Sequence, residues 1–176
     1  MARSRKTVTF KAKFTNAAEQ GGGWHFLVIE PEVVERLGFK GGSKRVLCSI
    51  NGTERFPCAL MPWGEIFYII VNKKRRADLG LNVGDFVEVR LQRDDSKYGM
   101  PMPEELQEVL NQDPEGDRLF HALTPGKQRS MLYFIGKFKD IDRRIHTALS
   151  LVEHLKKNNG KIISEELSQE LKRPVF

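Results

Sequence analysis

Thiol and imidazole chemistry have little to draw on in this chain, which offers two cysteines and four histidines among 176 residues. The histidines are scattered, and His146 and His154 do not fall on consecutive turns of a helix, so neither a metal site nor a metal cofactor is expected. Long apolar runs are missing too. The longest, Ile66 to Val71, is far short of the roughly 20 residues that cross a bilayer, and the opening MARSRKTVTF turns into strand-like alternation without an apolar signal core. These absences predict a cytoplasmic protein with no membrane contact, a reducing compartment that suits two free thiols. Also missing are a Ser-His-Asp, Cys-His or H-E-x-x-H constellation, a phosphate loop and a dinucleotide fingerprint. No catalytic residue and no cofactor is therefore expected, and the chain reads as a protein other than an enzyme. Gly21-Gly22-Gly23 precedes a strand where a phosphate cradle needs a helix, and reads as a hairpin loop. Asp94-Asp95 reads as a strand end. Asp140, paired with Asp142, reads as a helix cap that can reach Arg143 or Arg144.

What is present divides into two halves of different period. Up to about residue 95 the pattern alternates: in TVTFKAKFT, Val8, Phe10, Ala12 and Phe14 share one face. Further strands are predicted at Trp24 to Ile29, Arg45 to Ile50, Phe56 to Met61, Ile66 to Val71 and Asp85 to Gln92, with turns at Asn51-Gly52, Trp63-Gly64 and Gly84-Asp85. Cys48 and Cys58 flank Asn51-Gly52; an even loop would send them to opposite faces, and only an odd one would set them together. Pro101 and Pro103 then break the alternation. Beyond them the spacing is helical, through Leu106, Leu110, Phe120, Phe134 and Ile135 to Ile141, Ile145, Ala148, Leu149, Val152 and Leu155. Asp113, Thr124 and Asp140 are the expected N-caps, Asn158-Asn159-Gly160 a stop, and Ser164 the cap of a last short helix. The expected organisation is a barrel domain at 1–96, a linker at 97–102 and a helical domain at 103–176.

The barrel half matches itself at an offset of 42 residues. EPEVVERLGFKGGS lies over NKKRRADLGLNVGD, pairing Leu37 with Leu79, Gly38 with Gly80 and Gly42 with Gly84, so that 30–50 and 72–91 read as two copies of one unit. One such unit leaves sheet edges open, whereas two related by a pseudo-twofold axis cover each other. The fold class is thus α+β: a small pseudo-twofold barrel of six to seven strands followed by a helical module. The Gly-Asp turn followed by FVEV resembles the swapped-hairpin and double-psi barrels, including the AbrB, MazE and MraZ type. More specifically, GGGWHFLVIEPEV, VLCSINGTERFPCALMPWG and LGLNVGDFVEVRLQRD resemble the uncharacterised bacterial barrel domain that precedes a helical module in the bacteriocin-protection, YdeI or OmpD-associated family. The segment MPEELQEVL to FHALTPGKQRSMLYFIGKFKDIDRRI is similar to that family's second module. Gly136 and Asp142 depart from its usual Ala and Thr, whereas Lys137, Arg143 and Arg144 keep its basic character. The resemblance implies a fold and a phenotype, not a chemistry.

Charge points to one place in the barrel half. Residues 1–100 hold 17 Lys/Arg against 11 Asp/Glu, while residues 101–176 hold 12 of each. In the first copy the helix opens on Pro31 and Glu32, as the helix dipole prefers; in the second the same positions hold Lys73, Lys74, Arg75 and Arg76. Cations in a first turn cost about 0.3–1 kcal/mol unless compensated. Arg76, aligned with Val34, reads as a side chain draped over apolar surface. The leading expectation is a non-catalytic binding protein whose anion or nucleic-acid face is built on Lys73, Lys74 and Arg75 with Lys44 and Arg45. The alternative is a protein-interaction or stress-protection module acting through the helical half. A third, a small-ligand binder or enzyme, would use a cleft between the domains. Trp24 and Trp63 read as barrel core or rim.

Overall fold

The computed structural model describes residues 6–17 and 23–174; Gly21 and Gly22 of the glycine loop lie outside them. The chain divides into two compact units, residues 1–95 and 96–176.

The first unit is a nearly closed antiparallel barrel of seven strands: β1 (Thr7–Asn16), β2 (His25–Ile29), β3 (Arg45–Ile50), β4 (Phe56–Ala59), β5 (Met61–Trp63), β6 (Ile66–Ile70) and β7 (Phe86–Arg93). They run in the order β4-β3-β7-β1-β2-β6-β5. Strand β1 serves two neighbours, pairing Thr7 to Lys13 with β7 and Phe14 to Asn16 with β2. Its alternation is the predicted one, with Val8, Ala12 and Phe14 buried and Phe10 packed at the core's margin. Val46, Cys48 and Ile50 of β3 and Val87, Val89 and Leu91 of β7 complete the same interior.

The stretch read as one strand from Phe56 to Met61 is two. Leu60 turns inward, donates its N–H to Lys44 O at 2.8 Å, and separates β4, which pairs with β3, from β5, which pairs with β6. This break carries the chain from one end of the sheet order to the other and brings the barrel close to closure. Pro57 and Pro62 are tolerated because both strands are edges. Asn51 and Gly52 both take positive φ, the conformation of a tight hairpin turn, and Asn51 Oδ1 accepts from Glu88 N–H at 3.0 Å. At the predicted Gly84-Asp85 turn, Asp85 Oδ2 accepts from Asn82 N–H at 2.8 Å.

Two seven-residue helices decorate the barrel, α1 (Pro31–Leu37) and α2 (Lys73–Leu79). Each ends on a left-handed glycine, Gly38 and Gly80. Helix α1 buries Val33, Val34 and Leu37, whereas α2 buries no residue fully.

The second unit holds α3 (Glu104–Gln112), α4 (Pro114–Ala122), α5 (Pro125–Gly136), α6 (Ile141–Lys157) and α7 (Ser164–Glu170). Asp113, Thr124 and Asp140 cap α4, α5 and α6 through their side chains, as expected from sequence. Ser164 does not cap α7; it is the first helical residue, and Ile163 holds the cap position without a side-chain bond. The core gathers Leu106, Leu110, Phe120, Leu132, Ile135, Ala148, Leu151 and Leu155 around α6. No helix among the described residues is long and apolar enough to cross a membrane.

Candidate functional site

The basic run occupies α2 from its first residue. Asn72 caps the helix by accepting from Arg75 N–H at 2.8 Å, and no acid sits in the first turn. Compensation comes from a neighbouring strand and from the helix's own last turn. The Arg75 guanidinium lies 3.5 Å from the centre of the Phe56 ring, a stacked cation–π contact, and Lys74 Nζ stands 4.0 Å from Asp78. Lys74 and Arg75 line one cleft of about 380 Å³ with Thr53, Glu54, Asn72, Asp78 and Leu79. Two cations therefore share the lining with two carboxylates. Lys73 is exposed, Arg76 is half-buried, and neither belongs to that lining. Lys44 and Arg45 do not line it either: Lys44 Nζ lies 5.9 Å from the Phe67 ring centre, and Arg45 opens β3 opposite Ala59.

The thiols follow the odd-loop case. Cys48 pairs with Phe56, so Cys58, opposite Val46, lies on the same face of the hairpin one step along the diagonal. The hydrogen bond with the Cys58 thiol and then burial push the Cys48 thiol far up, which keeps it protonated and unreactive. Trp24 and Trp63 are both rim residues, and Trp63 packs edge-on to Phe26 with a ring separation of 5.4 Å. Asp95 faces Arg93 at 3.8 Å. The Asp140 carboxylate accepts from Asp142 N–H at 3.2 Å, whereas Arg144 meets Asp140 through its backbone N–H alone and turns its guanidinium to Glu105 at 2.9 Å.

The helical unit holds features that sequence spacing did not isolate. Along α6, Ile141, Ile145 and Leu149 form a second stripe beside the buried Ala148, Leu151 and Leu155, and Ile141 and Leu149 are 57% and 46% exposed. The signal was present as an apolar arc too wide for one contact face. With Val109 and Val152 this stripe floors a groove of about 610 Å³ between α3 and α6. Its rim carries Glu104, Glu105, Glu108, Asp113 and Glu153. Arg144 pairs with Glu105, and Lys156 reaches both Asp113 at 2.9 Å and Glu153 at 3.1 Å. The Asp113 carboxyl is held below its usual range by the Gly116 N–H and then by Lys156, whose own ammonium is pushed up by Asp113 and Glu153. Glu104 and Glu108 meet no cation among the described residues and leave the rim negative.

Two histidine constellations also appear. His154, 1% exposed, accepts from Ile163 N–H through Nε2 at 3.0 Å, which places its proton on Nδ1, from which it donates to Glu170 at 2.9 Å. His154, Glu166 and Glu170 bring their donor atoms within 4.8 Å of one another, a spacing that would suit a metal. Both ring nitrogens are committed, however, and the Lys157 ammonium lies 3.4 and 3.3 Å from Glu166 and Glu170, so the cluster works as a tie between α6 and α7. His121 donates from Nδ1 toward the Asp117 carbonyl at 2.9 Å and its carboxylate at 3.1 Å, and accepts from the Tyr98 hydroxyl at 2.8 Å. That relay fastens the segment before α3 onto α4.

Together these features define a two-unit α+β protein in which a small barrel precedes a helical unit, with two open surfaces: a charge-balanced cleft on the first and an acid-rimmed apolar groove on the second. Residues 10–91 match the family described as Domain of unknown function (DUF1905), and residues 100–158 match the family described as Bacteriocin-protection, YdeI or OmpD-Associated. One match thus falls in each unit, in the order that the sequence resemblance implies. No curated protein matches the chain with significant similarity.

Proposed function

We propose that this protein is a non-enzymatic, cytoplasmic interaction module whose helical unit carries the partner surface, the groove between α3 and α6 receiving a cationic amphipathic helix of a partner protein. The observation that supports this reading is the groove itself: Ile141 and Leu149 stand exposed over an apolar floor while Glu104 and Glu108 remain unneutralised at its rim. An apolar channel between two helices fits the i, i+3, i+4, i+7 face of a third. The acid rim selects a partner with lysines or arginines flanking that face. On this reading the barrel is a scaffold with an internal repeat of AbrB-like type, which the equal lengths of α1 and α2 and their glycine ends support. The family name's reference to bacteriocin protection agrees with a binding role more readily than with a reaction.

The test is fluorescence anisotropy with a labelled helical Lys/Leu amphipathic peptide and a scrambled peptide of the same composition. Saturable binding of the first alone is expected, weakened about tenfold or more by Leu149→Asp, a loss near 1.4 kcal/mol. Glu108→Lys should weaken it further at low salt than at high salt. Equal binding of both peptides, or indifference to Leu149→Asp, would rule the groove out.

The exposed Lys73 and Lys74, with no acid in their helical turn, favour a second reading, an anion or nucleic-acid face on α2. It requires that affinity for mixed-sequence oligonucleotide fall linearly in log–log terms with salt and that reversing Lys73, Lys74 and Arg75 to Glu abolish it. The carboxylates of Glu54 and Asp78 in the same cleft lead us to expect weak binding with a shallow slope.

A further inference from the structure

We propose that the cleft bounded by α5, α6 and the segment following α7 binds a small molecule carrying a phosphate group. The cleft has a volume of about 550 Å³, within the range of small-molecule sites, and no acidic residue lines it among the described residues. It is separate from the α3–α6 groove, and the inference stands independently of the function proposed for that groove.

Three strong cations converge on the cleft: Arg143 from α6 and Lys172 and Arg173 from the chain beyond α7. None of the three meets a carboxylate within 4.0 Å among the described residues. Glu170, the acid nearest in sequence to Lys172 and Arg173, is turned away and spent on His154 and Lys157. Like charges gathered without counter-ions repel one another, and an anion of two negative charges removes that repulsion.

Arg143 is held in place by aromatic contacts. Phe134 and Phe138 pack edge to face with centres 5.6 Å apart, and the Arg143 guanidinium lies 4.8 Å from the Phe138 centre. Lys137 Nζ sits 4.1 Å from the Phe134 centre. The Phe138 ring thus orients Arg143 without neutralising it. Arg143, His146 and Thr147 share one face of α6 by their i, i+3, i+4 spacing. Thr147 donates its hydroxyl to Arg143 O at 2.7 Å. His146 supplies the second, independent sign, since its Nε2 is buried and meets no hydrogen-bond partner. A ring nitrogen left this way is unusual, and a rotation of the ring toward the cleft would let it donate to an oxyanion there. Guanidinium forks, an ammonium, the imidazole and the Ser168 hydroxyl make up a donor set rich enough for a tetrahedral phosphate, where a single carboxylate would leave most of it unused.

The test uses the full chain, titrated by calorimetry at low ionic strength with inorganic pyrophosphate and, separately, with a nucleoside monophosphate, while NMR follows the His146 ring. One-to-one saturation and movement of the His146 resonances are expected. Arg143→Gln and Arg173→Gln should each weaken binding about tenfold, and Lys161→Gln, on an exposed residue outside the cleft, should leave it unchanged. Thermal melts establish that the variants are folded; Arg173 lies on an exposed end, so its variant remains informative if Arg143→Gln is unstable. Failure of both probes to saturate up to about 10 mM would overturn the proposal. So would binding that both variants leave intact, or steeply salt-dependent binding of a single-stranded oligonucleotide with no response to pyrophosphate, which would mark a nucleic-acid surface instead.

Discussion

His154→Leu is expected to lower the stability of the helical unit by about 2–4 kcal/mol, read as a shift of the denaturant midpoint. Both tryptophans, Trp24 and Trp63, lie in the barrel unit, so helical ellipticity is the signal to follow. Leucine fills a similar volume and keeps the apolar contacts around position 154. What it removes is the pair of hydrogen bonds that the imidazole makes in opposite directions, to Ile163 N–H and to Glu170. The backbone N–H and a carboxylate with only 16% of its side chain exposed are then left with fewer partners in poor solvent. His154→Ala adds a cavity and should cost more. His154→Gln should recover part of the loss, because its amide can replace one of the two bonds.

The same tie gives the helical unit a defined acid limb. Burial alone would raise the Glu170 carboxyl, but hydrogen bonds from His154 and Lys157 outweigh it and hold the group below its ordinary range. A carboxyl whose folded value is depressed contributes stability above its unfolded value, about 4.3, and loses it as pH falls through the folded one. Glu170→Gln should therefore be less stable than the parent at neutral pH and should lose less on acidification below about pH 4.3. Parallel acid limbs for the two proteins would show that Glu170 is not engaged in this way.

Local chemistry was legible in the sequence and long-range pairing was not. The alternation of Val8, Phe10, Ala12 and Phe14, the caps Asp113, Thr124 and Asp140, and the turn at Asn51-Gly52 each depend on neighbours within a few positions. The division of 56–63 into β4 and β5 depends on which strands lie on either side, β3 for the one and β6 for the other, with Leu60 N–H reaching Lys44 O between them. The parity of the cysteine hairpin is of the same kind, since a one-residue change of register moves Cys58 to the other face. At the candidate site, the departure of Lys73 to Arg76 from the first copy was plain, yet what receives Arg75 is Phe56 and what shares the cleft with Lys74 includes Glu54, both from the turn and strand of a different hairpin. The α3–α6 groove escaped because Ile141 and Leu149 fit a helical core period as well as a surface one. Periodicity tells which residues share a face but not whether another element covers it.

Gly116→Ala tests how closely the helices of the second unit approach. Helix interiors ordinarily gain about 0.5–1 kcal/mol when alanine replaces glycine. Here the sign should reverse, with a net loss of about 1–3 kcal/mol, because Gly116 is buried in α4 where a Cβ would run into Val152 Cγ1 of α6. It would also crowd the Asp113 carboxylate, at 3.2 and 3.3 Å, the group that caps α4 through Gly116 N–H and draws in Lys156 from α6. Backbone strain plays no part, since Gly116 is not among the residues of positive φ. The close approach is therefore a matter of side-chain volume, and volume can be returned from the other side. Val152→Ala should destabilise the parent protein by opening a void but relieve the Gly116→Ala variant, so that the two changes together cost less than their sum by at least about 1 kcal/mol. Additive losses would mean that α4 moves away from α6 as a body when the methyl is added, and the cap at Asp113 would then be the contact that fails; weaker protection of the amide at position 116 from hydrogen exchange would report it.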